Sequence, residues 1–150
     1  MRLFILAVFG VILMQTQLMA GSDKPAVVLR LHLQNLDSQD MSKVTPLSLK
    51  NPDQLIYVDK FAFLSEKYLY DAKQLQDGRV IIQFDNIGVS AMETTTSASL
   101  GKIMVVIFNG RVILAAVIDK PIRDGRLIVP DIGPEEFKQM ELLIKKNRST

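Results

Sequence analysis

Short blocks of hydrophobic residues, alternating with polar ones or ended by turn residues, dominate the chain after residue 24. This pattern is typical of β-strands rather than of long amphipathic helices. Val27–Leu33 ends in strict alternation, which predicts a half-buried strand. Asn51-Pro52-Asp53 is expected to form a turn, because proline and asparagine favour turn positions. Further strands are predicted over residues 45–49, 55–58, 72–75, 80–84 and 126–129.

The clearest element is a hairpin. Two apolar runs, Ile103–Phe108 and Val112–Ile118, stand on either side of Asn109-Gly110. Asparagine and glycine tolerate the positive φ angles that a two-residue type I′ turn requires. Both runs are apolar on both of their faces, which predicts a hairpin that lies in the centre of a covered sheet.

Two helices are predicted. Residues 87–100 place Ile87, Ala91, Met92 and Leu100 on one helical face, although the threonines at 94–96 lower helix propensity. A second helix begins at Pro134 and presents a stripe formed by Phe137, Met140, Leu143 and Ile144. Together the elements predict an α+β fold, in which an antiparallel sheet with a central Asn-Gly hairpin has two helices packed on one face.

The N-terminal segment has the order of a secretory signal peptide. Arg2 is followed by Leu3–Met14, which carries no polar side chain, and then by a polar stretch and Ala20. A helix of this apolar run spans about 18 Å, which is shorter than a hydrocarbon core of about 30 Å. We therefore interpret residues 1–22 as a cleaved signal peptide, residues 23–54 as a strand and loop extension, and residues 55–150 as the main domain. The alternative is an uncleaved anchor over residues 3–20 in the inner membrane.

Composition removes several function classes. The chain has 150 residues and a formal net charge of +2, so it lacks the positive field of a nucleic-acid-binding domain. It contains no cysteine and a single histidine, which excludes disulfide scaffolds and disfavours zinc and iron–sulfur sites. No cofactor, metal or nucleic-acid partner is expected, and the membrane is contacted only through an uncleaved signal.

The residues that could carry chemistry form no catalytic pattern. His32 shares the polar side of its strand with Arg30 and Gln34 and is expected to be solvated. The sequence lacks a G-x-S-x-G nucleophile turn and a glycine-rich phosphate loop. Thr94–Ser99 is either the polar rim of a groove or an exposed helix face. Five carboxylates are dispersed through loops and strand ends, namely Asp53, Asp59, Asp71, Asp77 and Asp85. Turn chemistry explains Asp53 and Asp77 adequately.

From about Ile56 to Lys145 the chain resembles the head subdomain in the first periplasmic region of SecD, the accessory subunit of the bacterial protein-export translocase. The most specific part is Gly101–Ile118. Leu114 departs from the family pattern, which has serine at this position. The similarity is also carried by Tyr57-Val58-Asp59-Lys60, Phe63-Leu64-Ser65, Asp71-Ala72-Lys73, Gln76-Asp77-Gly78, Lys120-Pro121-Ile122, Gly125-Arg126 and Pro134-Glu135-Glu136.

The resemblance implies an exported, non-enzymatic domain that binds polypeptide or an envelope protein partner, in connection with the export machinery. We expect the contact surface in a groove beside the Asn-Gly hairpin and the helix over 87–100, with Thr95, Ser99, Asn109 and Gly110 as partner-binding residues. Two alternatives stay open at this point. One is a structural domain of an envelope complex, and the other is a small envelope hydrolase or inhibitor with an unrecognised site.

The signal segment generates the first prediction. The protein isolated from cells should begin at Gly21 or Asp23 and should be found in an exported fraction, because signal peptidase cleaves after small residues such as Ala20 or Ser22. N-terminal sequencing of the native protein measures this. An intact Met1 in the membrane fraction would instead establish the anchored form.

Overall fold

The computed structural model describes residues 27–37, 39–50 and 53–150, so the predicted signal segment and the first two residues of the predicted 51–53 turn lie outside it. The strands are β1 (Leu29–Leu33), β2 (Val44–Leu49), β3 (Gln54–Asp59), β4 (Leu64–Ser65), β5 (Leu69–Gln74), β6 (Val80–Phe84), β7 (Ile103–Phe108), β8 (Arg111–Val117) and β9 (Arg126–Val129). The helices are α1 (Asn86–Ser97) and α2 (Pro134–Arg148), and Glu66–Tyr68 forms a single 3₁₀ turn.

The predicted α+β class is confirmed, but the strands divide among three antiparallel sheets rather than one. The largest sheet has the order β4-β1-β7-β8, a second has the order β5-β6-β9, and β2 pairs with β3 alone. A single bridge between Gln34 and Val58 connects the end of β1 to β3. The β2–β3 pair therefore stays next to the large sheet.

The β7–β8 hairpin turns through Asn109 and Gly110, whose φ angles are 48° and 80°. Phe108 pairs with Arg111 across the turn, and Ile113 is an extra residue in β8 between the pairs Ile107–Val112 and Val106–Leu114. Such an insertion is a β-bulge, which increases the local twist of the strand.

The prediction that both arms of the hairpin lie in the centre of the sheet is wrong for the second arm. β7 lies between β1 and β8, whereas β8 is the last strand in the order. Ala115, Ala116 and Val117 are also exposed. The apolar character of β8 therefore does not reflect burial along its whole length.

Two apolar cores cover the two faces of β7. Met104, Val106 and Phe108 enter the main core, to which both helices contribute buried residues. Val105 lies on the other face and packs against Ile56 and Val58 of β3. The buried residues that the helices supply to the main core are Met92 from α1 and Met140 and Ile144 from α2.

The main core generates a stability prediction. Ile113 is 5% exposed and Ile107 only half-buried, so the two residues of the hairpin are not equivalent. Changing Ile113 to alanine should lower the free energy of unfolding by about 2–5 kcal/mol, through lost burial and the cavity left behind. The matched control is Ile128→Ala, since Ile128 is 48% exposed. Urea unfolding gives the comparison, and equal midpoints for the two variants would contradict the assignment of Ile113 to the core.

Candidate functional site

The structure does not bring the four predicted partner-binding residues together. Thr95 and Ser99 lie at the C-terminal end of α1, from which the chain enters β7, whereas Asn109 and Gly110 follow the other end of β7. A strand of six residues spans about 20 Å. A cavity of about 530 Å³ on α1 includes Thr95 but neither hairpin residue.

The threonine and serine run over 94–99 is neither a uniform polar rim nor a uniformly exposed face. Thr96 is fully buried, and its hydroxyl donates to the carbonyl oxygen of Met92 (2.7 Å) and accepts from the backbone N–H of Ile122 (2.9 Å). Ser99 is 6% exposed, so its side chain is removed from the surface. Thr95 is half-buried. The run therefore fastens the loop before β9 to α1.

Asn109 is already engaged within the fold. Its side-chain oxygen accepts from the N–H of Val28 (3.0 Å), and its amide nitrogen donates to Gln139 of α2 (2.8 Å). The turn thus joins the start of β1 to α2. This leaves little of the Asn109 side chain free for a partner, and Gly110 offers only backbone groups.

His32 and the dispersed carboxylates also have structural roles. The expectation of a solvated histidine is wrong, because His32 is half-buried and its Nδ1 donates to the carbonyl oxygen of Asp59 (2.8 Å). Asp85 accepts from the N–H of Gly88 (2.8 Å) and thereby caps α1. Asp71 pairs with Arg148 (3.1 Å), and Asp77 with an arginine two residues away. Within the described part of the chain, no three histidine, aspartate or glutamate residues cluster as metal ligands would.

A different surface emerges along the outer side of β8. A groove of about 710 Å³ is lined by all seven residues of this strand. One wall is formed by the β2–β3 region, with Ser48, Leu49, Lys50 and Gln54, and Pro130 after β9 lies on the other side. We call this feature the β8 groove.

The β8 groove combines a fixed end with an exposed apolar end. At the fixed end, Arg111 binds both carboxylate oxygens of Glu136 (2.8 and 2.6 Å) and donates to the carbonyl oxygen of Asp131 (3.1 Å). At the other end lie Ala115, Ala116 and Val117, of which Val117 is 61% exposed. The groove is thus attached to α2 at its start and open towards its end.

Hydrogen bonds from Arg111 hold the pKa of the Glu136 carboxyl below its ordinary value, and the positive charge of Arg111 acts in the same direction. A lowered pKa in the folded state means that the ion pair stabilises the fold above the ordinary glutamate pKa. This contribution is lost as the pH falls through the lowered value. The start of β8 is therefore attached most firmly to α2 at neutral pH.

Sequence reasoning missed the β8 groove because its lining is apolar. Leu114–Val117 has the composition of a buried strand, and periodicity does not reveal whether a strand has a neighbour on each side. In the structure, the bulge at Ile113 marks the point beyond which β8 becomes exposed. A bulge of this kind has no sequence signature by which it could have been predicted.

The comparisons with known proteins decide the family. The family model described as "SecDF, P1 head subdomain" matches residues 42–147, which is more than half of the chain. This chain belongs to the SecDF P1 head family. The match includes all of β2 and β3 and thus begins before residue 55, the start of the main domain predicted from the sequence. The comparison with curated proteins finds no match.

Two solved structures share the fold of this SecDF P1 head. One is described as "Structure and function of a membrane component SecDF that enhances protein export", with a TM-score of 0.58 and 18% identity over 79% of this chain. The other is "Crystal structure of SecDF in Super-membrane-facing form", with a TM-score of 0.57, 18% identity and the same coverage of this chain. This chain covers 62% of the first protein and 18% of the second. No helix among the described residues is long and apolar enough to cross a membrane.

The position of Thr96 generates a third prediction. Thr96→Val keeps the side-chain volume but leaves the N–H of Ile122 without its acceptor, which should cost about 1–3 kcal/mol of unfolding free energy. Thr94→Val is the matched control, because Thr94 is exposed on the same helix. Chemical denaturation of both variants measures the difference. A Thr96→Val variant as stable as the control would show that the loop is not held by this hydroxyl.

Proposed function

We propose that this SecDF P1 head is an exported, non-enzymatic domain that binds polypeptide in the periplasm or cell envelope, in connection with protein export. The observation that carries the proposal is the β8 groove, an apolar channel beside a strand that is last in its sheet. The family match supports the link to export, since one of the similar structures is described as a component that enhances protein export.

The dimensions of the β8 groove suit a short stretch of extended chain. A strand of seven residues is about 24 Å long. The volume of about 710 Å³ lies within the range of about 300–1,000 Å³ that is usual for binding sites. The small alanine and valine side chains at the exposed end form no deep pocket that would select a particular side chain of the ligand. We therefore expect weak and sequence-tolerant binding, with a dissociation constant in the micromolar range, or about −8 kcal/mol.

The β8 groove has few charged groups with which to select a ligand by its charge. Lys50 and Arg111 are the charged lining residues, and the carboxylate of Glu136 offsets the charge of Arg111. Binding should consequently depend only mildly on salt, because few ionic contacts are available to be screened. This expectation distinguishes the groove from a site for acidic ligands.

The alternative of a hydrolase or inhibitor has less support. A hydrolytic site needs a nucleophile or base that is free to act, held close to its partners. His32 donates to a backbone carbonyl through its Nδ1, and Asp85 caps α1. These contacts give the two groups structural roles instead.

The alternative of a structural domain in an envelope complex has its own supporting observation. Phe61 is among the most exposed apolar side chains of the described chain and lies next to Lys60, away from the β8 groove lining. Aromatic residues are enriched in protein–protein contacts relative to the rest of the surface. A partner that copurifies in stoichiometric amount, and is lost in Phe61→Ala, would favour this second function.

The fourth prediction compares two surfaces directly. Ala116→Arg should weaken the binding of labelled, unfolded export substrates by about tenfold or more, because an arginine side chain fills the open end of the β8 groove. Its melting temperature should change little, since Ala116 is exposed. Thr95→Arg places the same side chain on α1 and should bind as the wild type does. Fluorescence anisotropy titrations of the purified protein measure the affinities.

The reverse order of these two variants would place the site on α1, which carries Thr95, one of the four partner-binding residues expected from the sequence. Absence of binding by the wild-type protein at high micromolar concentration would disprove the polypeptide-binding function.

A further inference from the structure

We propose that β8 binds its polypeptide by strand addition, so that an extended segment becomes the fifth strand of the β4-β1-β7-β8 sheet. This inference rests on the proposed function and specifies which groups form the contact. The bound segment is recognised through its main chain, and the apolar side chains of the β8 groove add to the affinity.

The hydrogen-bonding direction along β8 follows from its end. The N–H of Ile118 donates to the carbonyl oxygen of Lys102 (2.9 Å), so the main-chain groups of residue 118 face the β7 side. In an antiparallel pair, the main-chain groups of successive residues point alternately towards the partner strand and away from it. The main-chain N–H and C=O groups of Ala116 and Leu114, which pair with Met104 and Val106, therefore point towards β7.

Ala115 and Val117 consequently direct their N–H and C=O groups towards the open edge. The two residues are separated by about 7 Å along the strand, which is the repeat at which an added strand exchanges hydrogen bonds. Within the described residues, β8 is the last strand of its sheet, and neither Ala115 nor Val117 forms a main-chain hydrogen bond with a turn or loop. These four polar groups are available to a ligand.

The β8 edge lacks several features that commonly prevent pairing with another chain. Lysine, proline and inward-pointing charges are typical devices on edge strands. Leu114–Val117 contains none of them. The bulge at Ile113 disturbs the strand nearer its start, so pairing is confined to the stretch from Leu114 onwards.

The size of this edge favours a single extended segment over a second copy of the protein. A stable interface takes about 20–30 residues and about 800 Å² from each partner. The edge beyond the bulge comprises four residues, Leu114–Val117. Leu49 of β2 packs on one face of the sheet and Pro130 lies beside the groove, so both line the space that a folded partner would need. An unfolded, uncharged segment meets these limits.

The closing experiment removes one hydrogen-bond donor from the edge. Val117→Pro deletes the outward N–H, because proline has no N–H to donate. The β7–β8 hydrogen bonds stay in place, because the N–H of residue 117 points away from β7. Val117→Ala keeps the donor and is the matched control. The probe is a labelled peptide of about eight residues that alternates valine and serine. Val117→Pro should raise its dissociation constant about tenfold or more, whereas Val117→Ala should stay within about twofold of the wild type.

A second measurement tests the peptide instead of the protein and does not depend on how Val117→Pro folds. Two versions of the probe carry N-methyl groups on alternate residues, one on the odd positions and the other on the even positions. In strand addition, only the N–H groups on one edge of the peptide bind β8, and these belong to alternate residues. In a fixed register, methylation of those residues should abolish binding to the wild-type protein, whereas methylation of the other residues should leave binding unchanged. Equal binding of both versions, or unchanged affinity of a folded Val117→Pro variant, would overturn strand addition while leaving polypeptide binding intact.

Two further outcomes also have a definite meaning. Failure of the wild-type protein to bind the peptide and unfolded export substrates alike would overturn the proposed function and this inference together. A dimer in analytical ultracentrifugation that Val117→Pro abolishes would show that the edge takes a second copy, which would overturn the choice of occupant.

Discussion

β7 is a run of six apolar residues, and both of its faces must be kept from water. One face is covered by the main core, to which α1 and α2 contribute, and the other by the β2–β3 pair. Its two edges are hydrogen-bonded to β1 and β8. The remaining elements can be understood as coverings of this one strand, and the three-sheet arrangement follows from covering it on both sides.

Because the covering elements are arranged around β7, the neighbouring strand β8 is buried only in part, although the two strands are similar in composition. Ile113 reaches the main core because the bulge turns it there, and Val112 packs towards β2–β3. Beyond the bulge the covering elements end, and Ala115–Val117 are left exposed. β8 is therefore buried near its start and exposed near its end, so one strand contributes both to the core and to the surface groove.

Much of the fold could be predicted from local signals. Asn109-Gly110 marked the hairpin through its turn chemistry, and the stripe of Phe137, Met140 and Ile144 marked α2. The candidate site could not be predicted in the same way, because it depends on which strands are neighbours. Ser99 is polar yet buried, and Val117 is apolar yet exposed, so polarity alone assigned both to the wrong environment. Tertiary packing decides such positions.

The open apolar edge of β8 also invites pairing between copies of the chain while it folds, because any exposed strand can serve as a template. The residues that directly follow β8 counter this hazard. Ile118 returns to the core, and Asp119 and Lys120 come next with both charges exposed. Charged residues that flank an apolar strand interrupt the growth of an aggregate. The brevity of the open edge, which comprises only Leu114–Val117, limits such pairing further.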